Sequence, residues 1–119
     1  MKQIAFGLIT VVSMASAGAF AEERRMTGEE ISQALTNNTW IGTDSKPPWK
    51  QFFNEDGTTW FEDGRSPTSY GLWEVRNHAY CSEWGGGAWS CYKVNKTAEG
   101  IVWIGKERGD RYPAKLFED

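Results

Sequence analysis

His78 is the only histidine in this 119-residue chain, which excludes a multi-histidine metal site and leaves one imidazole for acid–base work. It follows Asn77 in a segment that reads as a turn, where an exposed turn residue is expected. Ser82 and Ser90 would be the serines for a Ser-His-Asp arrangement, but the chain contains no G-x-S-x-G elbow to present either one. Glycoside chemistry needs two carboxyl groups facing each other across a cleft. Here Glu55-Asp56 and Glu62-Asp63 are sequence neighbours at turns, and nothing in the spacing brings Glu74 or Glu83 opposite another acid. The Asp-Gly turns lack the ligand spacing of a calcium-binding loop, and Arg108-Gly109-Asp110 reads as a hairpin turn flanked by charges. No catalytic residue, metal ligand or cofactor is therefore assigned, and the expectation is a protein that is not an enzyme.

The residues that remain are aromatic. Trp60, Trp73, Trp84, Trp89 and Trp103 fall on segments with strand character, with Tyr70, Tyr80 and Tyr92 nearby. Each offers an apolar body with a polar tip, suited either to filling a small core or to gripping a small molecule. Arg76, beside this set, reads either as a contact for an anionic group or as a solvated strand end. The ligand-binding candidates are accordingly Trp60, Trp73, Arg76, Trp84, Trp89, Tyr92 and Trp103.

The elements that must position these side chains begin after the first 21 residues. Met1-Lys2-Gln3, the apolar run Ile4 to Met14 and the small-residue stretch ending Ala19-Phe20-Ala21 have the layout of a secretory signal peptide cleaved after Ala21. The apolar run is too short to cross a bilayer of roughly 30 Å as a retained helix, so no membrane span is expected in the mature chain. Removing 21 of the 119 residues leaves 98, enough for one domain with one small core. Losing Lys2 takes the net charge from −3 to about −4, which gives no electrostatic footprint for nucleic acid or anionic lipid. Both cysteines, Cys81 and Cys91, lie beyond the leader, and in an exported chain they are expected to form a disulfide. The expected location is periplasmic or secreted.

Thr27-Gly28-Glu29-Glu30 matches the capping box of a helix start, and Ile31 and Leu35 share one helical face. A short helix is predicted over about residues 28–36, ended by Asn37-Asn38. From Thr39 onward the chain is a series of short runs rich in Trp, Phe, Tyr, Val, Ile and Thr, separated by Gly, Asn, Asp and Pro clusters. Eight strands are predicted: Thr39 to Thr43, Trp49 to Asn54, Thr58 to Glu62, Ser69 to Arg76, Ala79 to Trp84, Ala88 to Val94, Ile101 to Lys106 and Tyr112 to Phe117. Joined by mostly short connections, they imply an all-β antiparallel meander that closes into a small barrel and so removes its exposed edges. An open, strongly twisted sheet with the helix packed on it is the alternative. A hairpin centred on Gly86 would place Cys81 opposite Cys91 and Tyr80 opposite Tyr92, within bridging distance for a disulfide.

The order Phe52-Phe53-Asn54-Glu55-Asp56-Gly57-Thr58-Thr59, Gly71-Leu72-Trp73-Glu74-Val75, Tyr80-Cys81-Ser82-Glu83-Trp84 and Trp89-Ser90-Cys91-Tyr92-Lys93-Val94 resembles a group of small exported proteobacterial proteins without an established activity. The resemblance covers about half of the mature chain. It implies a lipocalin-like, or calycin-like, β fold and carries over no catalytic residues.

From these residues the first expectation is an exported, non-enzymatic β-barrel that binds a small apolar or amphipathic ligand among its strand aromatics. The alternatives are a protein-interaction module, such as a hydrolase inhibitor using Trp84 and Trp89 on the Gly-rich hairpin as anchors, and an envelope structural or stress role.

Overall fold

The computed structural model describes residues 22–118, so the signal-peptide reading of residues 1–21 lies outside the described residues. The elements are β1 (Arg24–Arg25), α1 (Gly28–Leu35), β2 (Thr39–Gly42), β3 (Lys50–Phe53), β4 (Thr58–Glu62), β5 (Ser69–Arg76), β6 (Ala79–Glu83), β7 (Trp89–Lys96), β8 (Ile101–Ile104) and β9 (Arg111–Leu116). Strands β2 to β9 pair in sequence order, all antiparallel, and β9 returns to pair with β2. The sheet is therefore a closed eight-stranded meander. Closure, rather than an open twisted sheet, gives each of these eight strands a neighbour on both sides.

Two features depart from the sequence expectation. β1 has no hydrophobic pattern and both of its residues are exposed. It pairs with the C-terminal half of β7, Arg24 opposite Lys96 and Arg25 opposite Asn95, at an edge that β6 has already left because its own register ends at Tyr80 opposite Tyr92. Polar contacts hold this stretch down: Glu23 pairs with Arg111 at 2.9 Å, and Arg25 Nε donates to Asn95 Oδ1 at 2.7 Å. The second departure is at strand ends, where β8 stops at Ile104 and β7 runs on to Lys96.

Helix α1 forms as its caps dictate. Thr27 Oγ1 accepts from the Glu30 N–H, and the Glu30 carboxylate accepts from the Thr27 N–H. Just beyond its C-cap, Thr36, the positive φ of 61° at Asn37 turns the chain into the sheet, while Asn38 Nδ2 and Trp40 Nε1 both donate to the Ala34 carbonyl. Ile31 and Leu35 are fully buried and enter the core with Met26, Trp40, Phe53, Trp73, Tyr80, Val94, Ile101, Trp103 and Ala114. The helix thus plugs one end of the barrel. His78 tightens that plug: its Nδ1 accepts the Gly28 N–H at 2.7 Å, from a turn in which Asn77 and His78 both have positive φ, the geometry of a two-residue type I′ hairpin.

The β6–β7 hairpin has the symmetry its sequence implies, with Tyr80 opposite Tyr92, Cys81 opposite Cys91, Ser82 opposite Ser90 and Glu83 opposite Trp89. Cys81 and Cys91 form a disulfide with Cα atoms 4.0 Å apart. It lies on the face of the hairpin opposite the two tyrosines, which leaves Tyr80 and Tyr92 for the interior.

Candidate functional site

Alternation along the strands divides the barrel interior into two halves. Toward the helix, Phe53 sits with its ring centroid 5.3 Å from Trp73, 5.5 Å from Tyr80 and 6.2 Å from Trp103, and this half is filled. Toward the other end lies a cavity of about 340 Å³ lined by Trp49, Gln51, Phe61, Tyr80, Ser82, Trp84, Tyr92, Trp103 and Tyr112. That volume is at the lower end of the range for small-molecule sites. Tyr80 and Trp103, 2% and 4% exposed, form its floor; Trp84 and Tyr112, 41% and 42% exposed, stand at its rim.

The lining follows from period-2 patterning. In and just before β3, Trp49, Gln51 and Phe53 share one face; in β6 and just beyond it, Tyr80, Ser82 and Trp84 do. Two glycines seat the walls. A Cβ on Gly42 would collide with the Trp49 indole, and one on Gly71 would lie 2.7 Å from Trp84 Cε3. Both indoles rest where any larger residue would push them aside. Edge-to-face and tilted contacts join the remaining rings, with Trp49 5.5 Å from Trp103, Phe61 6.2 Å from Trp84 and Tyr92 6.1 Å from Tyr112.

A short polar chain runs across the floor. Gln51, 5% exposed, donates through Nε2 to Thr59 Oγ1 at 3.0 Å and to the Tyr80 hydroxyl at 2.8 Å. Trp84 Nε1 donates to Ser82 Oγ at 3.1 Å. Burial pushes the Tyr80 phenol up to about 12 against the opposing hydrogen bonds of Ser82 and Gln51. The Asp110 carboxylate, hydrogen-bonded by the Tyr112 hydroxyl, holds that phenol up at about 12 as well, and Tyr92 is raised chiefly by burial. All three phenols are neutral at physiological pH, and no Lys, Arg, Asp, Glu or His lines the cavity.

Of the candidates named from sequence, Trp84, Tyr92 and Trp103 line the cavity. The other four lie elsewhere. Trp73 is part of the packed core and donates its indole N–H to the Asn54 carbonyl at 2.8 Å. Trp60 faces outward, its ring stacked on Phe52 with centroids 6.2 Å apart. Arg76 is exposed, bonded to Glu74, with its guanidinium 4.9 Å from the ring centroid of Trp89 on the outer wall. Sequence reasoning left out Trp49, Gln51, Phe61, Tyr80, Ser82 and Tyr112 as ligand contacts. His78, Ser82 and Ser90 do not assemble with an acid, since the imidazole is engaged with the helix start at the opposite end of the barrel. Among the described residues no group of three His, Cys, Asp or Glu side chains converges as a metal site would need, and no helix is long and apolar enough to cross a membrane.

Comparisons of the chain with protein-family models, with curated proteins and with solved structures gave no match.

Proposed function

We propose that this chain is an exported, non-enzymatic binding protein that holds a small apolar or amphipathic molecule in the open half of its barrel. The observation that carries the reading is the contrast between the two halves of one interior: packed rings on the helix side, and on the other a cavity of about 340 Å³ walled by aromatics and entered past Trp84 and Tyr112. Apolar walls supply affinity and a few fixed polar atoms supply orientation, the usual division of labour in ligand sites. Export is supported by the leader-like residues 1–21 and by the Cys81–Cys91 disulfide, a bond that persists in oxidising compartments. Native mass spectrometry of the oxidised protein purified from its own host tests the reading: a mass excess that vanishes on unfolding is expected, and a bare chain that also fails to take up any uncharged aromatic on incubation would contradict it.

A second reading draws on the outer wall. Phe52, Trp60 and Tyr70 stand opposite one another in register on β3, β4 and β5, and Tyr70 is 73% exposed. Exposed aromatic rows of this kind form the anchors of protein interfaces, so contact with another protein would use this face and leave the cavity free.

A further inference from the structure

We propose that the ligand of this cavity is an uncharged, flat ring carrying one group that both accepts and donates a hydrogen bond, a phenol or a lactam being the simplest case, seated with that group on Gln51. The inference rests on the reading of the cavity as a binding site and adds the chemical class.

Hydrogen-bond accounting on the floor carries the argument. Thr59 Oγ1 gives its single proton to the Phe52 carbonyl at 2.6 Å, so toward Gln51 it can only accept. That fixes the amide: Nε2 faces Thr59 and Tyr80 and spends both protons on them. Oε1, on a side chain 5% exposed in the cavity wall, takes part in neither bond and is left as an acceptor. Beside it, the Tyr80 hydroxyl accepts from Gln51, and Ser82 Oγ accepts from Trp84. Tyr80 and Ser82 hold one hydroxyl proton each, and neither hydroxyl donates in any described hydrogen bond. Even with one hydroxyl turned to donate to the other, one proton is left without an acceptor among the described hydrogen bonds. The floor therefore presents an acceptor and a donor side by side, and a ligand hydroxyl or lactam satisfies both. Buried polar groups without partners are costly, so a molecule that supplies them gains over one that does not.

The walls set the rest. Seven of the nine lining residues are aromatic, which suits the faces and edges of a flat ring. No ionised side chain lines the cavity, so a carboxylate or ammonium group would be desolvated without a counter-charge.

Calorimetric titration of the oxidised protein with naphthalene, 2-naphthol and 2-naphthoate tests this, with Gln51→Leu and Ser82→Ala as variants and circular dichroism to check folding. The expected result is that 2-naphthol binds about tenfold or more tighter than naphthalene, that 2-naphthoate binds about a hundredfold weaker than 2-naphthol, and that Gln51→Leu removes the 2-naphthol advantage while leaving naphthalene within about threefold. The ranking of the three compounds on the unaltered protein decides the matter even where a variant fails to fold. Should naphthalene bind and 2-naphthol gain nothing, or 2-naphthoate bind as tightly, the ligand class is overturned and the binding site stands. Should none of the three bind, the binding-site reading itself falls.

Discussion

Replacing Phe53 by Ala and, separately, Phe61 by Ala measures how unequally the barrel interior is filled. Phe53 is fully buried and touches the rings of Trp73, Tyr80 and Trp103 at centroid distances of 5.3 to 6.2 Å. Its removal loses the transfer energy of a whole ring and leaves a void that packed neighbours cannot close, a loss of about 4 kcal/mol. Phe61 is only half-buried and already borders open space, with Trp49 and Trp84 on its other side at 5.9 and 6.2 Å. Less surface is lost and almost no new void forms, so its truncation should cost about 1 to 1.5 kcal/mol. With a urea slope of about 1.5 kcal/mol/M for a domain of this size, the midpoint should fall by roughly 2.5 M for Phe53→Ala and by less than about 1 M for Phe61→Ala. Equilibrium unfolding followed by tryptophan emission gives both numbers. Equal midpoints would refute the reasoning, because they would mean that both ends of the interior are packed alike.

Three further outcomes follow from the polar and covalent ties. Tyr80 is neutral in the fold to about 12 against an ordinary 10, so above pH 10 the unfolded chain releases a proton that the native state retains; stability should fall between pH 10 and 12 by about 3 kcal/mol. Urea midpoints in that window, on a Tyr92→Phe, Tyr112→Phe background that removes the other two raised phenols, should lose this slope when Tyr80→Phe is added, and an unchanged slope would count against a buried phenol. Glu30 is held down to about 2, first by the Arg24 guanidinium and then by the Thr27 N–H, so its contribution to the helix start is present above the ordinary carboxylate range and is lost as pH falls through about 2; the Thr27 amide shift should titrate there, and a midpoint near 4.5 would show that the capping box does not form. Converting Cys81 and Cys91 to Ala opens a loop of sequence separation 10 and should cost about 2.7 kcal/mol in the loop-entropy account, read as a lower thermal midpoint; an unchanged midpoint would show that the hairpin register alone does the same work.

Much of this fold was legible in the sequence because its local signals agree. The capping box at Thr27, the runs Thr58–Glu62 and Ser69–Arg76, and the mirror symmetry of the hairpin about Gly86 each act within a few residues. β1 was not legible: two exposed arginines carry no pattern, and they pair only because β7 outlasts β6. The site was legible in composition but not in parity. β4 offers Trp60 and Phe61 side by side, and either could face inward; pairing puts Phe61 in the cavity and Trp60 outside. Period-2 counting from Trp73 would have placed Arg76 on the outer face, and counting from Tyr80 and Tyr92 would have done the same for Trp89. Gln51 carries the polar floor yet escapes a search for aromatics; its only signal is the shared face of Trp49, Gln51 and Phe53.

The seven tryptophans give the most direct test of ligand binding in the cavity. Their indole N–H signals in a ¹⁵N-labelled sample, followed while 2-naphthol is added, report separately on the cavity, the core and the outer wall. Trp49, Trp84 and Trp103 should shift together and saturably, while Trp40, Trp60, Trp73 and Trp89 stay in place. Shifts confined to Trp60 and Trp89, with the three cavity indoles unmoved, would contradict the account and place recognition on the outside of the barrel.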